Sequence, residues 1–175
     1  IIETVGVGQS ETNITKMVDF FLLLMLAGAG DELQGIKRGI MELADCIAIT
    51  KADSGNEILA KKAKITYENA LHLFPASANG WIPNAHICSS YLKKGIATIW
   101  DTIEKHRQLI TGNGWLIENR SNQNIFWMNQ RIEEQLKNEF YQIPNIKEAI
   151  KAQEKDVKSG KINPFLAADK ILNNR

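Results

Sequence analysis

The stretch Gly28–Asp53, GAGDELQGIKRGIMELADCIAITKAD, restricts the fold more than any other part of the chain. Just before it, Phe20–Leu26 (FFLLLML) is an unbroken apolar run that stops at Gly28 and Gly30, the pattern of a strand buried on both faces. Gly-Ala-Gly-Asp then opens a predicted helix, with Asp31 as a good N-cap and Gln34 at capping-box spacing. Leu33, Ile36, Ile40 and Leu43 give that helix one apolar face. Gly35 and Gly39 lie inside it, each disfavouring helix by roughly 1 kcal/mol against Ala. Two readings fit them: close packing of helix on sheet, or a segment kept only marginally helical so that it can move. A second buried strand, Cys46–Thr50, follows.

That strand runs into Thr50-Lys51-Ala52-Asp53. Ligands of parallel sheets collect at the carboxyl ends of the strands, so the tetrapeptide is well placed for binding. An Asp carboxylate there accepts two hydrogen bonds from the N1–H and N2 amino group of guanine, a donor pair that adenine lacks. The Lys51 stem can lie along the plane of the base. Ser54-Gly-Asn-Glu57 reads as a second capping box, opening a helix that extends to about Phe74.

Here the residues carry a resemblance. GDELQGIKRGIMELAD followed by TKAD is similar to the GTP-binding proteins associated with methylmalonyl-CoA mutase, the MeaB/ArgK-type chaperones of adenosylcobalamin enzymes. Ile2-Glu3-Thr4-Val5-Gly6-Val7-Gly8-Gln9-Ser10-Glu11 resembles the second switch of that family, and Arg120-x-x-Gln123-x-x-x-Trp127-Met128 and Asn163-Pro164-Phe165-x-Ala167-Ala168 extend the match along nearly the whole chain. The resemblance implies an α/β fold: part of a parallel-sheet P-loop GTPase domain of the SIMIBI type over residues 1–110, then a C-terminal helical extension over 111–175 that dimerises. It also implies GTP or GDP with Mg²⁺, slow hydrolysis to GDP and phosphate, and an adenosylcobalamin-dependent mutase as partner, whose cofactor loading is gated and which is itself protected.

Single residues follow. Glu3 stands near the carboxyl end of a predicted short buried strand, Ile1–Val5, where a carboxylate can hold the water shell of Mg²⁺. Gly6 can bring its N–H against a terminal phosphate. Gln9 could orient an attacking water. The family's third switch covers Asp31, Glu32, Gln34, Lys37 and Arg38, although a charged pair such as Lys37-Arg38 also suits a plain solvated helix face. Base contacts fall to Thr50, Lys51 and Asp53, and to the backbone of Ser89 and Ser90 in Cys88-Ser89-Ser90, where the family has Cys-Ser-Ala. Thr50 stands where most GTPases place Asn, which has the greater hydrogen-bonding reach.

The phosphate loop G-x-x-x-x-G-K-[ST] does not occur, and the chain begins without Met. The expectation is therefore that these residues are the C-terminal part of a longer protein, and that this part alone is inactive. A formal net charge of +1 gives no bulk electrostatic case for nucleic acid or an anionic membrane. The longest apolar run, Phe20–Ala29, falls short of the roughly 20 residues that span a bilayer, so a cytoplasmic protein is expected. Cys46 and Cys88 both fall in predicted strands and read as buried thiols.

Further along, Glu11–Val18 is predicted as a short helix, and the helix Gly55–Phe74 is expected to bury Leu59, Ala63, Tyr67, Ala70 and Phe74. Pro75–Pro83 reads as a loop and Ala85–Ser89 as the last strand. From Gly95 onward the chain is helical, with a break at Gly112-Asn113-Gly114 and a long helix over Trp115–Tyr141. Its stripe of Ile125, Met128, Ile132, Leu136 and Phe140 suits either packing on the sheet or a dimer face. Pro144 and Pro164 stand at helix starts, with Asn163 as a cap. Beside the GTPase stand two other classes of function: a kinase of a periplasmic amino-acid transport system, or a helical interaction module without enzymatic activity. A metal-insertion GTPase ranks below these, for want of C-x-x-C or a His cluster.

Overall fold

The computed structural model describes residues 1–4, 11–27, 38–75 and 77–173. The elements are α1 (Glu11–Ile14), β1 (Leu22–Leu26), α2 (Arg38–Glu42), β2 (Cys46–Thr50), α3 (Glu57–Leu71), β3 (Asn84–Ile87), α4 (Ile96–Gly112), α5 (Trp115–Gln142), α6 (Pro144–Lys158) and α7 (Pro164–Leu172). The strands form one parallel sheet in the order β1-β2-β3, with Leu22 opposite Cys46 and Cys46 opposite Asn84. The described residues form two compact units, Ile1–Gln123 and Asn124–Arg175.

Period-two alternation sorts the sheet residues onto two faces. On one, Leu23, Met25, Ile47, Ile49, Ala85 and Ile87 pack with Ala60, Ala63, Tyr67 and Leu71 of α3. On the other, Leu22, Ala48 and Cys88 meet Ile99 and Ile103 of α4. The continuous apolar strand β2 is buried along Cys46–Ile49, as a strand covered on both faces must be. Both cysteines are free and buried.

Four expectations are corrected. Residues 1–4 are exposed and form no strand, so over these residues the predicted buried strand Ile1–Val5 is not formed; Val5 lies outside the described residues. In β1, Leu24 is 61% and Leu26 40% exposed, so this strand, which pairs only with β2 among the described strands, is not buried on both faces. The fully buried residues of α3 are Ala60, Ala63, Tyr67 and Leu71; the predicted Ala70 and Phe74 are partly buried and pack against the same core, but Leu59 is 51% exposed and Ala60 takes its place. Nor does Ser54 cap α3. Asn56 occupies the cap position, and its side chain donates to the Lys51 carbonyl at 3.2 Å instead. Most of the predicted glycine-rich helix, with Gly35, lies outside the described residues; Gly39 is in α2, where an added Cβ would meet nothing within 4 Å, so close packing does not explain it.

At the amino end of the sheet, Asp45 and His106 form a buried polar node. The Trp81 N–H donates to Asn79 Oδ1 at 2.8 Å, which fixes the amide so that Asn79 Nδ2 faces His106 Nε2 at 3.3 Å. His106 Nε2 is then an acceptor and the ring neutral, protonated on Nδ1. The ring is 1% exposed and sits edge-on to Phe20 and Trp81. Asp45 Oδ1 lies 3.6 Å from Nε2, and Asp45 Oδ2 accepts the Phe21 N–H at 2.8 Å.

Burial pushes the Asp45 carboxyl up to about 6, against a smaller downward pull from the Phe21 N–H. Burial also depresses His106, against the Asp19 carboxylate. The signs oppose. A raised carboxyl favours the folded state at acid pH and costs stability as pH climbs through its folded pKa; a depressed His costs stability as pH falls. Asp45→Asn keeps an acceptor for Phe21 and removes the first contribution. We expect it to be more stable than wild type at pH 8 by up to about 3 kcal/mol, with the gain gone near pH 4. Urea unfolding at both pH values checks this, and a variant less stable at pH 8 contradicts it.

Along α5 no residue is buried. The stripe Ile125, Met128, Ile132 and Leu136 is half exposed or more, and none of it joins a buried core. The predicted cap at Asn163 is formed, its Oδ1 accepting from the Phe165 N–H at 2.8 Å, with Pro164 at the first turn of α7. Among the described residues no helix is long and apolar enough to cross a membrane.

Candidate functional site

The carboxyl ends of β2 and β3 bring the predicted base-reading residues together. The Cys88 N–H donates to the Ile49 carbonyl at 2.8 Å, and the Ala52 N–H to the Cys88 carbonyl at 3.1 Å. These bonds carry the ladder past both strand ends and set Asp53 across from Ser89. The Ser89 hydroxyl then donates to Asp53 Oδ2, while the Leu92 N–H donates to Ser89 Oγ at 3.0 Å. The carboxylate is thus oriented by a buried serine that is itself held in place.

The loop is shaped to present it. Lys51 (φ 54) and Ser54 (φ 53) both take the left-handed conformation, and Asn56 closes the turn by donating from its N–H to the Asp53 carbonyl at 3.0 Å. Lys51 is exposed, leaving its stem free to lie over a flat ligand. Thr50 turns elsewhere: its hydroxyl donates to the Met25 carbonyl at 3.0 Å, tying the end of β2 to β1.

Ser89 departs from expectation in one respect. Its N–H donates to the Lys94 carbonyl at 3.0 Å, closing the turn over 90–93, and so is not available to a ligand. What it offers the site is its hydroxyl, on Asp53. Ser90 is exposed beside it in the same turn. Glu3 is exposed in the irregular segment 1–4. Gly6, Gln9, Asp31, Glu32, Gln34 and Lys37 lie outside the described residues, and Arg38 is described only as the start of α2. Among the described residues no cluster of three metal-ligating side chains forms.

Two residues of the site went unread in the sequence. Asn56 braces the loop, and its place just before a run of good helix formers was the available signal. Gly95 (φ 77) starts α4 with its Cα so close to β3 that a Cβ would stand 2.1 Å from the Ile87 carbonyl oxygen. A glycine immediately before a helical pattern hinted at that turn, though not at the contact.

A parallel sheet with an oriented aspartate in a Thr-Lys-x-Asp loop, beside a Cys-Ser turn at the end of the next strand, defines an α/β fold of the P-loop GTPase class. A solved structure described as "Crystal structure of LAO/AO transport system kinase" superposes with a TM-score of 0.79 at 34% identity, over 97% of this chain and 54% of that one. A family profile described as "Methylmalonyl Co-A mutase-associated GTPase MeaB" matches residues 1–145, and the chain belongs to that family. It is 43% identical over 141 residues to "GTPase ArgK" of Escherichia coli, covering 81% of this chain and 43% of that protein. It is 40% identical over 172 residues to "Methylmalonic aciduria type A homolog, mitochondrial" of Mus musculus, covering 98% of this chain and 41% of that protein. The chain thus spans about half the length of these relatives, or somewhat less.

Proposed function

We propose that these residues form the base-recognition and effector part of a guanine-nucleotide switch, which at the length of its relatives binds GTP with Mg²⁺ and hydrolyses it to GDP and phosphate. The observation that carries this reading is the Asp53 carboxylate, fixed by the Ser89 hydroxyl at the carboxyl edge of a parallel sheet. It fits the N1–H and N2 amino pair of guanine, with the Lys51 stem against the base and the Ser90 N–H toward O6. Glu3 is assigned to the water shell of Mg²⁺, Gly6 to the terminal phosphate and Gln9 to the attacking water. Residues 1–110 belong to the GTPase domain and 111–175 to the extension. The half-exposed stripe of α5 supports its use as a homodimer face. The family description supports a methylmalonyl-CoA mutase as the partner. In this reading the mutase is adenosylcobalamin-dependent, and the switch gates its cofactor loading and protects the enzyme. Asp31, Glu32, Gln34, Lys37 and Arg38 are assigned to reporting the nucleotide state to it.

A titration of the protein at its relatives' length should give GDP binding at least roughly 100-fold tighter than ADP, since the Asp pairs with only one of the two bases. Equal affinities contradict the reading. A second reading, a kinase, draws on the solved neighbour, which is described as a transport system kinase. GTP labelled on its terminal phosphate separates the two: the switch releases free phosphate, whereas a kinase transfers the label to a protein acceptor.

A further inference from the structure

Asn56 is bonded in three directions. Its carbonyl accepts the Ala60 N–H at 2.9 Å, the first bond of α3, and Ala60 is fully buried in the core. Its N–H donates to the Asp53 carbonyl at 3.0 Å. Its side chain makes no cap bond to α3; instead Nδ2 donates backward to the Lys51 carbonyl at 3.2 Å. One residue, anchored by α3, thus holds the main chain of both Lys51 and Asp53. The loop needs such a fastening. Lys51 (φ 54) and Ser54 (φ 53) are left-handed, a conformation in which a Cβ crowds the following carbonyl oxygen and which persists only where neighbours enforce it. From the side of the sheet, the Ala52 N–H reaches the Cys88 carbonyl at 3.1 Å, but the Thr50 hydroxyl is turned away to the Met25 carbonyl. The hold on the Lys51 carbonyl comes from Asn56.

We propose that Asn56 is a positioning residue for guanine recognition: by bonding to the Lys51 and Asp53 carbonyls it presets the spacing of these two residues, so that the loop meets the base already formed. The proposal rests on the assignment of Lys51 and Asp53 to guanine. A loop that is formed beforehand loses less freedom when the ligand arrives, and the difference appears as affinity. Without the Nδ2 donor, Lys51 leaves its left-handed conformation more readily, and the two-residue link to Asp53 moves with it. The Ser89 hydroxyl then still holds the tip of the Asp53 side chain, but its main chain is no longer fixed from both sides.

The test uses the protein at its relatives' length. Asn56→Asp keeps the shape and remains a good helix N-cap, but it replaces the donor by an oxygen that repels the Lys51 carbonyl. Asn56→Ser is neutral, also caps well, and its hydroxyl is one bond shorter than the amide. Both should weaken GDP binding roughly 5- to 10-fold in a titration, the equivalent of one lost hydrogen bond, while ADP binding stays within about twofold. For GTP with Mg²⁺, KM should rise in step and kcat should stay within about twofold, as for a contact that serves binding alone. Unchanged GDP affinity in Asn56→Ser overturns the proposal. So does a loss shared equally by GDP and ADP, or a fall in kcat at constant KM. Each of these leaves the guanine reading standing, whereas a wild-type protein that binds GDP and ADP alike overturns both.

Discussion

Asp53→Ala, in the protein at its relatives' length, should weaken GDP binding by about 10²- to 10⁴-fold, because it removes two charge-assisted hydrogen bonds worth roughly 1.5–3 kcal/mol each. ADP binding should change little, since adenine has no donor pair for this carboxylate. The fold should survive: Asp53 is only partly buried, and its side chain is bonded to Ser89 alone among the described residues. Isothermal titration with both nucleotides, with circular dichroism to check folding, separates a lost contact from a lost structure. A loss shared equally by GDP and ADP would place the binding energy elsewhere, in the phosphates.

Gly95→Ala should be among the most damaging single-methyl additions in the chain. The residue sits at φ 77, and its new Cβ would meet the Ile87 carbonyl oxygen at 2.1 Å. That oxygen ends β3 and cannot move without carrying Cys88 and Ser89 with it. Left-handed strain of about 1–2 kcal/mol adds to the contact, and we expect a total loss of about 3 kcal/mol or more. Gly114→Ala provides the control: φ is 80 there, but a Cβ would meet nothing within 4 Å, so only the strain remains, about 1 kcal/mol. Urea unfolding of both variants should therefore separate by roughly 2 kcal/mol. If Gly95→Ala costs no more than Gly114→Ala, the close approach of α4 to β3 is not what requires the glycine. Because Ser89 would move with Cys88, Gly95→Ala should also loosen the hold on Asp53 and weaken GDP binding.

The sequence alone carried a good deal of this. Cys46–Thr50 was legible as a buried strand because an apolar run before a polar loop is a local signal, and the structure buries it from Cys46 to Ile49. The place of Asp53 followed from its position after that strand, and Pro144, Asn163 and Pro164 announced helix starts through fixed backbone rules. Leu59 misled because α3 places two apolar residues side by side, Leu59 and Ala60, and periodicity cannot say which of them faces the sheet. Ile1–Val5 misled for a related reason: apolar residues specify a strand only where a neighbour supplies its hydrogen bonds.

By itself, then, the sequence determined the order of elements from β2 onward, the loop that carries Asp53 and the family to which the chain belongs, since each is written in residues close together along the chain. The tertiary structure alone decided that Ser89 orients Asp53, that Asp45 and His106 share a buried node, and that Arg120 pairs with Asp19. In each case the partners lie tens of residues apart or more. A hydrogen bond between distant side chains leaves no periodicity in the sequence, and only the folded chain brings donor and acceptor within reach.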